Sequence, residues 1–105
     1  MTRDPSTKGA PEVVFRGIVP SDALLAIVRE QDALMCSFLS HAPENRRVVI
    51  RREQGERMVE AAVSAGLRGR QGYGQAAHTN TQEAVRRAYT ELLRSLLNAD
   101  GALAA

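Results

Sequence analysis

The spacing of hydrophobic positions changes along the first part of the chain, and each change marks a predicted element. The β-branched segment Glu12–Ile18 lies between two prolines and has the composition of a strand. Hydrophobic residues then recur at helical spacing from Leu24 to Leu39, and Ser21 occupies a suitable N-cap position. Pro43 excludes further helix. The pattern predicts a strand followed by an amphipathic helix.

The middle of the chain has the alternation that is typical of strands. Arg46–Arg52 is an apolar triplet between arginine pairs, and the polar turn Glu53–Glu56 separates it from a second extended run, Arg57–Leu67. Hydrophobic and polar positions alternate in this second run, which predicts a sheet covered on one side only. A turn at Leu67–Arg70 and a glycine-containing strand at Gln71–His78 are expected next.

The last predicted element is a helix with a clear apolar stripe. Asn80 and Glu83 have the spacing of a capping pair, and apolar residues recur at helical spacing until about Asn98. The element order is therefore β-α-β-β-β-α. A right-handed crossover after the first strand places the first helix on one face of the sheet. The apolar stripe of the last helix also needs a partner, and this helix can lie beside the first on the same face. We expect an α/β (α+β) fold, a two-layer sandwich with a four-stranded sheet.

Composition bounds the class of protein. The length of 105 residues suits one domain, which we place at 12–98 between flexible tails at 1–11 and 99–105. Cys36 is the only cysteine, so an internal disulfide is impossible, and no Cys/His cluster suits a metal. The polar N-terminus does not have the pattern of a secretion signal, so none is expected, and no apolar run approaches the roughly 20 residues of a membrane span. We expect a cytoplasmic protein.

The basic residues are almost all arginine. Only Lys8 is a lysine among the 14 basic residues, and the formal net charge is +2. Arginine makes bidentate contacts with phosphate and stacks on bases, so its excess favours a nucleic-acid partner. A GC-rich genome would give the same bias, which leaves both explanations open.

Two segments resemble the hibernation promoting factor and ribosome-associated inhibitor family. The first is the run Phe15–Glu30, which resembles the family's first strand, its proline-containing turn and its long first helix. The second is His78-Thr79-Asn80 followed by Ala84–Tyr89, which resembles the family's His-Glu-Asp segment and the start of its last helix. The resemblance covers about 13–98. It departs at Gln82, where the family often has tyrosine, and in helices that are poorer in lysine.

The resemblance implies a short form of a ribosome hibernation factor. Such a protein occupies the decoding channel of the small ribosomal subunit, contacts ribosomal RNA and blocks messenger and transfer RNA. It needs no cofactor and no metal, and it is not an enzyme. Longer family members carry a further C-terminal domain, and we expect this chain to correspond to a form without it. The expected partners are therefore the small subunit and its RNA, with no DNA and no membrane.

Basic side chains of the helices and strands are the candidate RNA contacts. The expected RNA-binding residues are Arg29, Arg46, Arg47, Arg51, Arg86, Arg87 and Arg94. For the last helix an alternative stays open, because Glu83 and Glu91 have the spacing of ordinary surface ion pairs with Arg87 and Arg94. The first helix is nearly neutral, since Arg29 stands beside Glu30 and Asp32 and all three are expected to be exposed.

Other residues suggest further hypotheses. The segment Arg70–Ala76 is similar to the RNA-stacking strand of RNA recognition motifs, which makes Tyr73 a candidate for base stacking. His41, His78 and Cys36 form no pattern that supports catalysis. The C-terminal sequence Ala-Leu-Ala-Ala, 102–105, resembles the end of the bacterial tag that directs proteins to degradation.

The rival hypothesis is a diverged domain of the same fold that has lost ribosome binding. The near-neutral first helix motivates it. Such a domain would act in protein interaction or as a homodimer, and an exposed sheet face with Arg52, Met58 and Ala62 is the candidate surface for a second copy.

Overall fold

The computed structural model describes residues 10–100, with side chains as far as Asn98. Six elements follow one another in the predicted order. They are β1 (Glu12–Arg16), α1 (Asp22–Ser37), β2 (Glu44–Arg51), β3 (Val59–Leu67), β4 (Arg70–His78) and α2 (Thr81–Asp100). The last helix thus runs two residues beyond its expected end. The interpretation of 102–105 as a degradation signal lies outside the described residues.

The four strands form one sheet in the order β1-β2-β3-β4. β1 pairs with β2 in parallel, and the other two pairs are antiparallel. The parallel pair arises because α1 returns the chain to the end at which β1 began. Residues of both helices join the core on the same side of the sheet. The predicted two-layer sandwich with both helices on one face is confirmed.

Strand β3 shows why the sheet has one covered and one open face. Val59, Ala61, Val63, Ala65 and Leu67 alternate along it, and each is at most 1% exposed. The residues between them are half-buried and belong to the open face. This period of two is the one that the sequence predicts, and the buried positions pack beneath the helix layer. Each large aliphatic side chain buried there contributes about 1.5–3 kcal/mol.

Two glycines of β4 allow α2 to lie directly on the sheet. A Cβ atom at Gly74 would overlap the Ala88 carbonyl oxygen and the Leu92 amide nitrogen, and it would lie 2.9 Å from the Leu92 Cα. At Gly72 a Cβ would meet the flexible Leu96 side chain at 2.6 Å. Gly74 is therefore required by the close approach of the helix backbone, and Gly72 provides room for the Leu96 side chain.

Both helices begin at capped residues. The Ser21 hydroxyl accepts a hydrogen bond from the Leu24 amide at 3.1 Å, as expected for an N-cap. At α2 the Asn80 side chain accepts from the Glu83 amide at 3.0 Å. The reciprocal bond of a capping box is made by a different residue, because the Asn80 amide donates to Nδ1 of His78 at 2.9 Å. The carboxylate of Glu83 is thereby left to pair with arginines.

Candidate nucleic-acid interface

The seven candidate arginines do not form one surface. Arg47 and Arg51 lie on β2 at positions that belong to the open face of the sheet. Arg29 on α1 and the three arginines of α2 belong to the helix layer on the other side. Arg46 is in neither group, since its side chain is buried. A flat RNA surface therefore cannot contact all seven together.

Arg87 and Arg94 of α2 are exposed, Arg86 is half-buried, and each of the three is paired with a glutamate. Arg86 and Arg87 share Glu83 at 3.5 and 3.7 Å, and Arg94 lies 3.2 Å from Glu91. The pairs of Arg87 and Arg94 are those that the spacing predicts, and the pair of Arg86 is additional. Exposed pairs of this kind contribute about 0.2–1 kcal/mol or less, so a phosphate can replace the glutamate at small cost. Three positive charges against two negative ones leave this surface weakly cationic.

The exposed surface of α1 carries less charge than its sequence indicates. Arg29 and Glu30 are exposed, as expected. Asp32 is only 5% exposed, so its expected exposure is wrong. Its position has a signal in the sequence, because Asp32 follows Val28 by four residues and precedes Met35 by three, which places it on the buried stripe. An acidic residue at such a position indicates a buried partner.

The buried partner of Asp32 is Arg46. The Nε atom of Arg46 donates to both Asp32 carboxylate oxygens, at 2.8 and 3.0 Å, and the side chains are 8% and 7% exposed. Another guanidinium nitrogen donates to the Pro43 carbonyl, and the Tyr89 hydroxyl donates to Asp32 at 3.2 Å. This cluster, the Asp32 clasp, joins α1, β2 and α2. In this conformation the Arg46 guanidinium is not available to a phosphate.

The clasp also affects two neighbouring groups. Burial, together with the negative charge of Asp32, raises the pKa of the Tyr89 phenol, so the hydroxyl keeps its proton and remains a donor. Burial and the same carboxylate raise the pKa of the Cys36 thiol, which opposes the thiolate form that a nucleophile needs. Among residues 10–100 no group of three or more potential ligands is placed to hold a metal ion.

Three cross-strand rows on the open face of the sheet span all four strands. The first row is Glu12, Arg47, Ser64 and Tyr73; the second is Val14, Val49, Ala62 and Gln75; the third is Arg16, Arg51, Glu60 and Ala77. Ion pairs lie within the outer rows, Arg47 with Glu12 at 3.4 Å and Arg51 with Glu60 at 2.6 Å. The middle row is uncharged.

A depression lies between the first two rows of the open face. We call it the sheet slot and define it by Arg47, Val49, Ala62, Ser64, Tyr73 and Gln75, which line it. Tyr73 is 68% exposed. The tyrosine predicted to stack on bases is thus presented to solvent beside an arginine, and its role in stacking stays a prediction.

The three residues expected to meet a second copy are only partly brought together. Ala62 lies in the middle row of the open face. Arg52 and Met58 are exposed but belong to the connection between β2 and β3 rather than to the paired strands. The apolar part of the open face is therefore centred on Val49 and Ala62.

Known structures share this fold. The N-terminal domain of Protein Y from Thermus thermophilus matches with a TM-score of 0.73 and 16% identity, over 84% of this chain and 94% of that one. A ribosomal subunit interface protein from Coxiella burnetii matches with a TM-score of 0.58 and 12% identity, over 89% of this chain and 97% of that one. No protein-family model and no curated protein sequence matches the chain.

These likenesses confirm the fold that is expected from the resemblance to ribosome hibernation factors. At identities of 12% and 16%, the similarity shows a shared fold and does not identify the residues of a functional site. No helix within residues 10–100 is both long and apolar enough to cross a membrane.

Proposed function

We propose that this protein is a ribosome-associated factor that binds the small subunit and blocks messenger and transfer RNA by occupying the decoding channel. The observation that carries the proposal is the fold shared with a ribosomal subunit interface protein over 89% of the chain. The protein acts in the cytoplasm by steric occupancy, without a cofactor and without catalysis. The protonated, half-buried Cys36 thiol agrees with a non-catalytic role.

The surface that we assign to ribosomal RNA is the outer side of α2. Arg86, Arg87 and Arg94 have side chains that are 41%, 59% and 64% exposed. Replacing their glutamate partners by RNA phosphates exchanges a weak surface pair for a charge-assisted contact and releases counterions. Arg29 on the exposed part of α1 extends the same layer. Arg46 is omitted from this surface because the Asp32 clasp uses its guanidinium.

The test is sedimentation of cell lysate through sucrose gradients at low and high salt. The wild-type protein should migrate with small subunits or single ribosomes at low salt and leave them as salt rises. The triple variant Arg86→Glu/Arg87→Glu/Arg94→Glu should remain at the top of the gradient. With purified subunits, the slope of log affinity against log salt should fall by about 2–3 in the variant, as expected for three lost phosphate contacts.

A matched variant controls for net charge. Arg16, Arg52 and Arg57 are exposed and belong to the opposite face or the β2–β3 connection. Changing all three to glutamate alters the net charge equally and should leave most of the binding intact. A wild-type protein that stays at the top at every salt concentration contradicts the proposed function. Unchanged sedimentation of the α2 variant contradicts only the assignment of the surface.

A second candidate function is that of a homodimeric interaction module that does not bind ribosomes. The middle row of the open face is uncharged, and Arg51 and Glu60 stand side by side in the adjacent row. A two-fold axis parallel to the strands would place β2 of one copy over β3 of the other, so that Arg51 of each copy faces Glu60 of its partner. Light scattering at high protein concentration tests this candidate, and a strict monomer contradicts it.

A further inference from the structure

The sheet slot has the width of two strand spacings. Arg47 is in register with Ser64 on β3, and Ser64 is in register with Tyr73 on β4. Adjacent strands are about 4.8 Å apart, so the backbones that carry the arginine and the tyrosine are separated by about 10 Å. All three side chains project from the open face. Two long planar side chains therefore stand on either side of a short hydroxyl.

The slot has a small floor and two exposed walls. Ser64 and Ala62 form the floor and are half-buried, whereas Tyr73 is 68% exposed and the Arg47 side chain 48% exposed. Gln75 and Val49 continue the walls into the next row. Neither α1 nor α2 covers this side of the sheet, so within residues 10–100 the slot is open to solvent along its length.

The size and chemistry of the slot suit a flat heterocycle. A ring held between two planar groups needs them about 7–8 Å apart, which is twice the optimal carbon contact distance. Long side chains that start about 10 Å apart can close to this separation. A tyrosine ring and a guanidinium both stack on π-systems. Within residues 10–100 the side chains of Ser64 and Gln75 make no hydrogen bond with protein, which leaves a hydroxyl and an amide for the edge of a ring.

We propose that the sheet slot binds one unpaired nucleobase of single-stranded RNA, stacked between Tyr73 and Arg47. The hydroxyl of Ser64 and the amide of Gln75 contact the edge of the base. Arg47 also pairs with Glu12 of β1 at 3.4 Å, on the side away from the slot, and this exposed pair is weak enough for the guanidinium to turn toward a bound base. This site is separate from the α2 surface, because the two lie on opposite layers of the sandwich.

The probe is a fluorescein-labelled hexa-adenylate, with an abasic ribose-phosphate hexamer of equal charge as its control. Fluorescence anisotropy gives the affinity, and tyrosine emission locates the bound base. The chain has two tyrosines and no tryptophan, and Tyr89 is buried in the Asp32 clasp, so quenching reports Tyr73. The wild-type protein should bind the adenylate at least about tenfold more tightly than the abasic hexamer.

Variants separate stacking from charge. Tyr73→Leu removes an exposed ring without disturbing the core and should weaken adenylate binding about tenfold or more. Arg47→Lys keeps the charge and loses the planar stacking surface, so it should also weaken binding. Arg51→Lys is the matched control on the same strand and face, one row beyond the slot, and should bind as the wild type does.

Three outcomes overturn the slot proposal. One is equal affinity for the adenylate and the abasic hexamer, and another is unchanged affinity of Tyr73→Leu. The third is a dimer that Tyr73→Leu dissociates while adenylate leaves tyrosine emission unchanged, which would assign the open face to a second copy. The triple glutamate variant of α2 should retain the quenching of Tyr73. A failure of ribosome binding is thus distinguished from a failure of the slot.

Discussion

The contact between α2 and β4 gives the sharpest prediction for stability. Replacing Gly74 by alanine adds one methyl group beneath the helix. Its carbon would be 2.9 Å from the Leu92 Cα and closer still to two backbone atoms of α2. Ordinary contact begins near 3.4 Å, so the Leu92 Cα must recede by about 0.5 Å and the nearer atoms by more. Backbone cannot rotate away, and the helix must therefore lift from the sheet.

The expected loss in the free energy of unfolding differs among alanine substitutions at three glycines. Overpacking of a core costs about 1–3 kcal/mol, and the rigid backbone contact places Gly74→Ala at about 3 kcal/mol or above. Gly72→Ala meets mainly the end of the Leu96 side chain, which can rotate, and should cost about 1 kcal/mol. At Gly66 the nearest atoms would be 3.6–3.7 Å away. Gly66→Ala should therefore change stability by about 0.5 kcal/mol or less.

Urea unfolding followed by far-ultraviolet circular dichroism measures the series. With a slope of about 1–3 kcal/mol per molar urea, the Gly74→Ala midpoint should fall by at least about 1 M relative to Gly66→Ala. Both variants add the same methyl group to a strand, so their difference isolates the helix contact. Equal midpoints for the two variants would falsify the claim that Gly74 is required for α2 to pack on the sheet.

Two further predictions concern the Asp32 clasp. Asp32→Asn leaves the buried Arg46 charge uncompensated and should destabilise the protein by about 3–5 kcal/mol in thermal unfolding, and a loss below 1 kcal/mol would contradict the burial of the pair. The pKa of Tyr89 is higher in the folded state than in the unfolded chain, where it is about 10. The protonated phenol therefore adds fully to the free energy of unfolding below about pH 10, and this stabilisation is lost as the pH rises further. Wild-type stability should thus decline above about pH 10 more steeply than that of Tyr89→Phe, and parallel profiles would exclude this linkage.

Much of the fold can be predicted from the sequence because its elements are locally consistent. The period of two in β3 and the capped, striped α2 each indicate one structure, and the order of elements then restricts the topology. Where the strand pattern in the sequence is weaker, tertiary contacts determine which residue is present. Gly72 and Gly74 reduce strand propensity, yet the strand persists because a helix needs the space above them.

The candidate site is less accessible to sequence reasoning. Alternation indicates that the arginines of β2 point to different faces, but it does not identify the partner that each one meets. Arg46 pairs with Asp32, fourteen positions earlier in the chain, and only the packing of α1 brings them together. The sheet slot depends on the registers of β2, β3 and β4, which together place Arg47 and Tyr73 in one row. No local motif encodes that juxtaposition.

The alternation Gly72-Tyr73-Gly74 has a consequence for how such a protein evolves. The two glycines face the helix, where Gly74 cannot accept a side chain, whereas Tyr73 is exposed to solvent and lies outside the core. Substitutions at position 73 therefore leave the stability of the fold unchanged, and selection for stability does not remove them. A lineage with this strand can exchange one ligand for another on its open face while the sandwich beneath remains unaltered.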